Sequence, residues 1–202
     1  MRIIGGKFGR RRFNPPANNW PTRPTTDYAK EALYNILQNR IDFEETKMLD
    51  LFGGTGNHCY EFVSRGSTDV TYVDSFGKCI AFVKNTAKEL DVENNLTVLK
   101  SDVFRFIKSA DEQYDFIFAD PPYHLKTLNQ LPDLIFDNGL LATAGILVIE
   151  HDQQNSFEEH KRFVDVRKYG CCMFSFFELL SILISKRIVG LEMWHTQTKL
   201  SK

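Results

Sequence analysis

A chain of 202 residues with 43% hydrophobic and 25% charged side chains can build one domain with a sizeable core. It has no apolar run near the ~18 residues that suggest a membrane span, and its start, Met1-Arg2-Ile3-Ile4-Gly5-Gly6, has no apolar segment ahead of a cleavage site, so a cytoplasmic protein is expected. The net charge of −1 is unevenly spread: residues 1 to 40 hold eight Lys or Arg against Asp27 and Glu31, a basic start on a mildly acidic body that suits contact with a polyanion.

Residues 1 to 24 are punctuated by Gly5, Gly6, Gly9, Pro15, Pro16, Pro21 and Pro24 and read as short strands or loops, a basic arm or hairpin ahead of the main fold. A helix follows, capped by Thr26 or Asp27, with Ala29, Ala32, Leu33, Ile36 and Leu37 forming one apolar stripe that runs out near Arg40. From Lys47 short apolar runs alternate with helical segments: Met48 to Phe52, Val70 to Asp74, Leu96 to Leu99, Phe116 to Ala119, and Ile146 to Glu150. That alternation signals βαβ units and a mostly parallel sheet. Phe76, Ile80, Val83, Ala87 and Leu90 share one helical face and read as core, and Leu128, Leu131, Leu134 and Ile135 mark another helix. Phe163 to Val166 and Met173 to Phe177 read as a late hairpin turning at Tyr169-Gly170.

The first buried run ends in Asp50-Leu51-Phe52-Gly53-Gly54-Thr55-Gly56. Glycines there let backbone approach a ligand closely, and the following helix start can face its polar end. A dinucleotide site favours G-x-G-x-x-G, and the third glycine is replaced by Cys59. S-adenosylmethionine, which carries no pyrophosphate, fits better. Asp74 ends the second run twenty residues after Gly54, where a carboxylate can accept from both ribose hydroxyls. Asp102, with Val103 beside it, can reach an adenine amino group or equally cap the helix that Val103 begins. Asp50, Asp74, Asp102 and Asp120 fall at the ends of four successive strands, the edge where open α/β sheets bind ligands.

Asp120-Pro121-Pro122-Tyr123 follows the fourth run directly. Two prolines remove two backbone donors and fix φ, so neighbouring carbonyls stay available to a ligand. With the Asp carboxylate they suit an exocyclic NH₂ of a nucleobase, while the Tyr ring offers a stacking face. Cys59, Cys79, Cys171 and Cys172 form no C-x-x-C pair and no zinc-like spacing with the histidines, so structural thiols and no metal are expected.

In this order, Leu51-Phe52-Gly53-Gly54-Thr55-Gly56, Asp74 and Asp120-Pro121-Pro122-Tyr123 resemble a class I S-adenosylmethionine-dependent amino-methyltransferase. The flanks, Arg2-Ile3-Ile4-Gly5-Gly6, the basic stretch ending at Arg12, and Arg23-Pro24-Thr25-Thr26-Asp27, are similar to the start of the bacterial RsmD family, which methylates guanine N2 in small-subunit ribosomal RNA. The resemblance covers residues 1 to about 178 and implies a Rossmann-like, mostly parallel seven-stranded α/β sheet with an antiparallel last hairpin. It also implies a substrate presented on assembling small ribosomal subunits. The expected organisation is an arm over 1–24, a methyltransferase domain over 25–178 and a tail of unassigned role over 179–202, in a monomer without metal or membrane contact. Asp120, Pro121, Pro122 and Tyr123 are the expected catalytic group. Asp50, Gly53, Gly54, Thr55, Gly56, Asp74, Asp102 and Val103 are expected at the cofactor, and Arg10, Arg11, Arg12 and Arg23 at the RNA backbone. His58 and Cys59 add bulk in the first helical turn after the glycines, and Phe76 stands where relatives often carry a second acid. An adenine-N6 methyltransferase, or an inactive module that binds cofactor and RNA, are the alternatives.

Overall fold

The computed structural model describes residues 1–15, 25–122 and 124–179. Arg23, Tyr123 and all of the expected tail except Leu179 lie outside them. Seven strands form one sheet: β1 (Met48–Leu51), β2 (Val70–Asp74), β3 (Leu96–Lys100), β4 (Tyr114–Ala119), β5 (Leu141–His151), β6 (Phe163–Tyr169) and β7 (Cys172–Glu178). Their order is β3-β2-β1-β4-β5-β7-β6. β1 to β5 are parallel, and β7 runs antiparallel between β5 and β6.

Strand periodicity divides the core in two. Along β4, Phe116 and Phe118 join one cluster while Ile117 and Ala119 join the other; β5 repeats this with Ile146 and Val148 against Leu147 and Ile149. The first face is covered by α1 (Asp27–Leu37), α2 (Asn57–Ser64) and α3 (Gly77–Leu90), the second by α4 (Val103–Ser109) and α5 (Leu131–Asp137). Both faces are therefore apolar, which is why the inner strands read as near-continuous hydrophobic runs. Thr26 caps α1 by accepting from the Ala29 N–H at 3.2 Å.

On α3 the buried stripe is Cys79, Ile80, Val83, Thr86, Ala87 and Leu90. Phe76, placed on that stripe by its spacing, is instead the N-cap residue, with extended backbone (φ −83°, ψ 108°). The helix starts one residue too late to carry its ring into the core.

The described part of the basic arm is a small hairpin packed on α2. Arg2 and Arg12 form an antiparallel bridge, and Ile3, Phe8 and Phe13 are buried. The Glu61 carboxylate accepts from the Ile4 and Gly5 N–H groups at 2.8 and 2.9 Å, from Arg65 at 3.0 and 3.1 Å, and pairs with Lys30 at 3.3 Å. Lys30 in turn donates to the Arg2 carbonyl and to Asn57 Oδ1 at 2.5 and 2.8 Å. Glu61 and Lys30 are fully buried, and burial lowers the Lys30 pKa although Glu61 opposes it. Among the described residues no helix is long and apolar enough to cross a membrane, and no group of three His, Cys, Asp or Glu is placed to hold a metal ion.

Candidate active site

In this strand order β1 is flanked by β2 on one side and β4 on the other, so chain direction across the sheet reverses at β1 and β4. The helices following these two strands leave on opposite faces, opening a crevice at the C-terminal edge. A cavity of about 360 Å³ lies there.

One side of it is the glycine loop. Phe52 leaves β1 at φ 60°, a left-handed conformation rare for a large side chain, and the turn it makes lets the Gly53 N–H donate to the Val73 carbonyl at 3.2 Å. A Cβ on Gly53 would lie 2.5 Å from the Tyr72 ring and 3.1 Å from Asp50 Oδ2, so the loop closes over β2 only with glycine there. Gly54 is held from both ends, its N–H donating to Asp74 Oδ2 at 2.9 Å and its carbonyl accepting from the Tyr72 hydroxyl at 2.7 Å. The other Asp74 oxygen accepts from the Phe76 N–H at 2.7 Å. A carboxylate has about four lone-pair sites, and these bonds fix Asp74 at the cavity wall with acceptor capacity to spare. Gly56, at φ 73°, is the N-cap position of α2.

Asp50 is buried beneath the loop, where the Cys59 thiol donates to it at 3.0 Å. Burial raises its pKa to about 7 and pushes the Cys59 thiol well up.

The opposite side carries Asp120, Pro121 and Pro122. The Asp120 N–H donates to the Leu51 carbonyl at 3.3 Å, tying the motif to the end of β1, and the Pro122 carbonyl accepts from Leu125 at 2.8 Å to close the following turn. The wall between the two sides is aromatic. The His58 ring stacks on Phe118 with centroids 3.8 Å apart. The Thr25 hydroxyl donates to Glu150 Oε2 at 2.7 Å, which leaves its oxygen to accept from His58 Nε2 at 3.3 Å. Burial holds the His58 pKa well below the usual value, so the ring is neutral and serves as a wall fixed at both nitrogens, with the Tyr34 hydroxyl 3.3 Å from Nδ1.

Of the residues singled out from sequence, Asp50, Gly53, Gly54, Thr55, Asp74, Asp120, Pro121 and Pro122 line this one cavity. Asp102 caps α4, accepting from the Arg105 N–H at 2.9 Å, and neither it nor the buried Val103 belongs to the lining. Arg10, Arg11 and Arg12 are exposed on the hairpin. Thr25, Asn57, Phe76, Phe118 and His124 also line the cavity. Phe118 and Phe76 read as core by periodicity, Thr25 stands in sequence only as part of the flank ahead of α1, and nothing local to His124 distinguishes it from a loop residue.

The family model described as conserved hypothetical protein 95 matches residues 1–178. The ribosomal RNA small subunit methyltransferase D of Buchnera aphidicola (subsp. Baizongia pistaciae) is 32% identical over 152 residues, 75% of this chain and 76% of that protein. A hypothetical protein of Thermus thermophilus has the same fold, with a TM-score of 0.76 at 23% identity over 88% of this chain and 99% of its own. The Thermus thermophilus 16S rRNA N2 G1207 methyltransferase, solved with AdoMet and guanosine, matches at a TM-score of 0.62 and 20% identity over 76% of this chain and 43% of its own. A Rossmann-like sheet with one antiparallel hairpin, a glycine loop and an Asp-Pro-Pro corner in one crevice, and a match across residues 1–178 place the chain in the conserved hypothetical protein 95 family, the RsmD family.

Proposed function

We propose that this protein transfers a methyl group from S-adenosylmethionine to the exocyclic N2 amine of a guanine in small-subunit ribosomal RNA, acting as a cytoplasmic monomer on assembling subunits. The observation that carries the proposal is that one cavity is lined both by the glycine loop with Asp74 and by Asp120-Pro121-Pro122. A cofactor and an amine held there face each other.

The cavity fits the cofactor by its donor set. Asp74 retains acceptor capacity for ribose hydroxyls, Gly53 and Gly54 bring backbone to the wall without a Cβ, and Asp50 is an acid beneath a ligand that carries positive charge. When bound, S-adenosylmethionine supplies an electrophilic methyl carbon on a sulfonium. The chain's own residues prepare the nucleophile. An amine conjugated to a purine ring has a delocalised lone pair. Hydrogen bonds from its two hydrogens to the Asp120 carboxylate and the Pro121 carbonyl favour a pyramidal nitrogen whose lone pair is free to attack. Asp120 takes the proton only after transfer, when the product amine has become strongly acidic; the neutral aromatic amine is far too weak an acid to give it up sooner. Tyr123, next in the chain, offers its ring to the extruded base. Arg10, Arg11, Arg12 and Arg23 hold the phosphate backbone. Asp102 is left to its capping role.

The test is incubation of unmodified small ribosomal subunits with methyl-labelled S-adenosylmethionine, followed by nucleoside analysis. N2-methylguanosine is expected. N6-methyladenosine would move the activity to adenine, and no labelled nucleoside would leave a binding module.

A further inference from the structure

Tyr28, the second residue of α1, is 71% exposed, an unusual position for so large a ring. The ring is nevertheless held. It meets Tyr169, at the turn of the β6–β7 hairpin, edge to face with centroids 5.9 Å apart and planes at 81°. Tyr169 packs on Phe174 at 6.0 Å, and Phe174 lies 6.3 Å from Phe118, which stacks on His58 in the cavity wall. Tyr28 is thus the outer end of an aromatic column that begins inside the cavity, and Thr25, three residues before it, lines that cavity.

The basic N-terminal hairpin lies against the start of α1, where Lys30 donates to the Arg2 carbonyl. Arg2 is anchored by Asp27 at 2.9 Å, immediately before Tyr28, and Arg12 is bridged to Arg2 across the hairpin. An open aromatic ring that is already braced loses little freedom on binding a flat partner, and a basic hairpin on the same helix start favours a partner with a phosphate backbone. When one base is drawn out of a helix or loop for chemistry on its edge, its neighbours lose stacking and need a new surface.

We propose that Tyr28, braced by Tyr169 and beside the basic hairpin that Arg2 ties to Asp27, is a stacking platform for an unpaired base of the RNA beside the guanine that enters the cavity. This rests on the methylation of small-subunit ribosomal RNA proposed above. Stacking is sequence-tolerant and worth ~1–3 kcal/mol per base by alanine substitution, a fall of roughly 5- to 150-fold in affinity.

The experiment compares the wild-type chain, Tyr28→Ala and Tyr28→Phe for binding to a transcribed small-subunit ribosomal RNA and to unmodified small subunits, with cofactor affinity and thermal unfolding measured alongside. Tyr28→Ala should weaken binding to both by at least about fivefold, leave cofactor affinity unchanged, lower thermal stability only by the lost ring contact with Tyr169, and raise KM without lowering kcat; Tyr28→Phe should bind like wild type. Unchanged RNA affinity in Tyr28→Ala overturns the platform. So does a loss confined to intact subunits, which marks the patch as a protein contact. Whether wild-type enzyme forms N2-methylguanosine in the same samples tests the underlying function separately, because that product can appear while Tyr28→Ala binds normally.

Discussion

Asp50 gives the sharpest test of the site's electrostatics. It is fully buried under the glycine loop, and burial raises its pKa from 3.8 to about 7. Between those values the folded chain keeps a proton that the unfolded chain has lost. Stability therefore falls as pH rises through this window and levels off once the folded carboxyl is ionised, above about 7. At ~1.36 kcal/mol per pH unit, the decline attributable to this group between pH 5.5 and pH 8 is about 2 kcal/mol. Asp50→Asn keeps an acceptor for the Cys59 thiol and removes the titration. Urea unfolding of the cofactor-free protein and of Asp50→Asn at several pH values gives a stability difference that isolates Asp50 from every other titrating group. The variant should gain about 2 kcal/mol on wild type across that range. A difference that stays flat with pH refutes the buried, protonated Asp50. A cationic ligand above this carboxyl should draw its proton off, so cofactor binding near pH 6.5 should release protons, measurable by calorimetry in buffers of different ionisation enthalpy.

Asp120→Ala should lower kcat by at least about a hundredfold, on the scale of removing one electrostatic partner of a reacting group, while calorimetry still detects cofactor binding; near-normal turnover would remove Asp120 from the mechanism. Replacing Arg10, Arg11 and Arg12 together by Ala should weaken RNA binding and reduce the slope of log affinity against log salt by ~0.7–0.9 per lost phosphate contact, and an unchanged slope would place the phosphates elsewhere. Glu61→Gln leaves the buried Lys30 ammonium without its carboxylate and weakens the acceptors of Ile4 and Gly5. A loss of about 3–5 kcal/mol in urea unfolding is expected, with protease cleavage of the N-terminal hairpin at denaturant concentrations where the sheet persists.

Much of this protein was legible in one dimension because both local rules and ligand chemistry act over short stretches. Apolar runs buried on two faces gave β1, β2, β4 and the core of β5, and glycines needed for close approach gave the cofactor-type loop. Acids at successive strand ends could be placed on one sheet edge because every parallel strand points the same way. Periodicity was misleading at Phe76, where the helix begins one residue later than the apolar spacing suggests and the ring goes to the cavity. In sequence Asp102 could equally meet a ligand or cap a helix; in the structure it caps α4, whereas Asp74 holds the glycine loop.

Tertiary structure alone decided which segments meet. Asp50 and Phe118 pair in register across β1 and β4 although 68 residues separate them, and that adjacency sets the glycine loop against Asp120. The hairpin order of β6 and β7 carries Tyr169 to Tyr28, and α2 carries Glu61 to the arm. Sequence therefore determined the residue types a base-amine methyltransferase needs and the strands that end in them. Their assembly into one cavity depended on long-range strand pairing, which leaves no mark on the spacing of neighbouring residues.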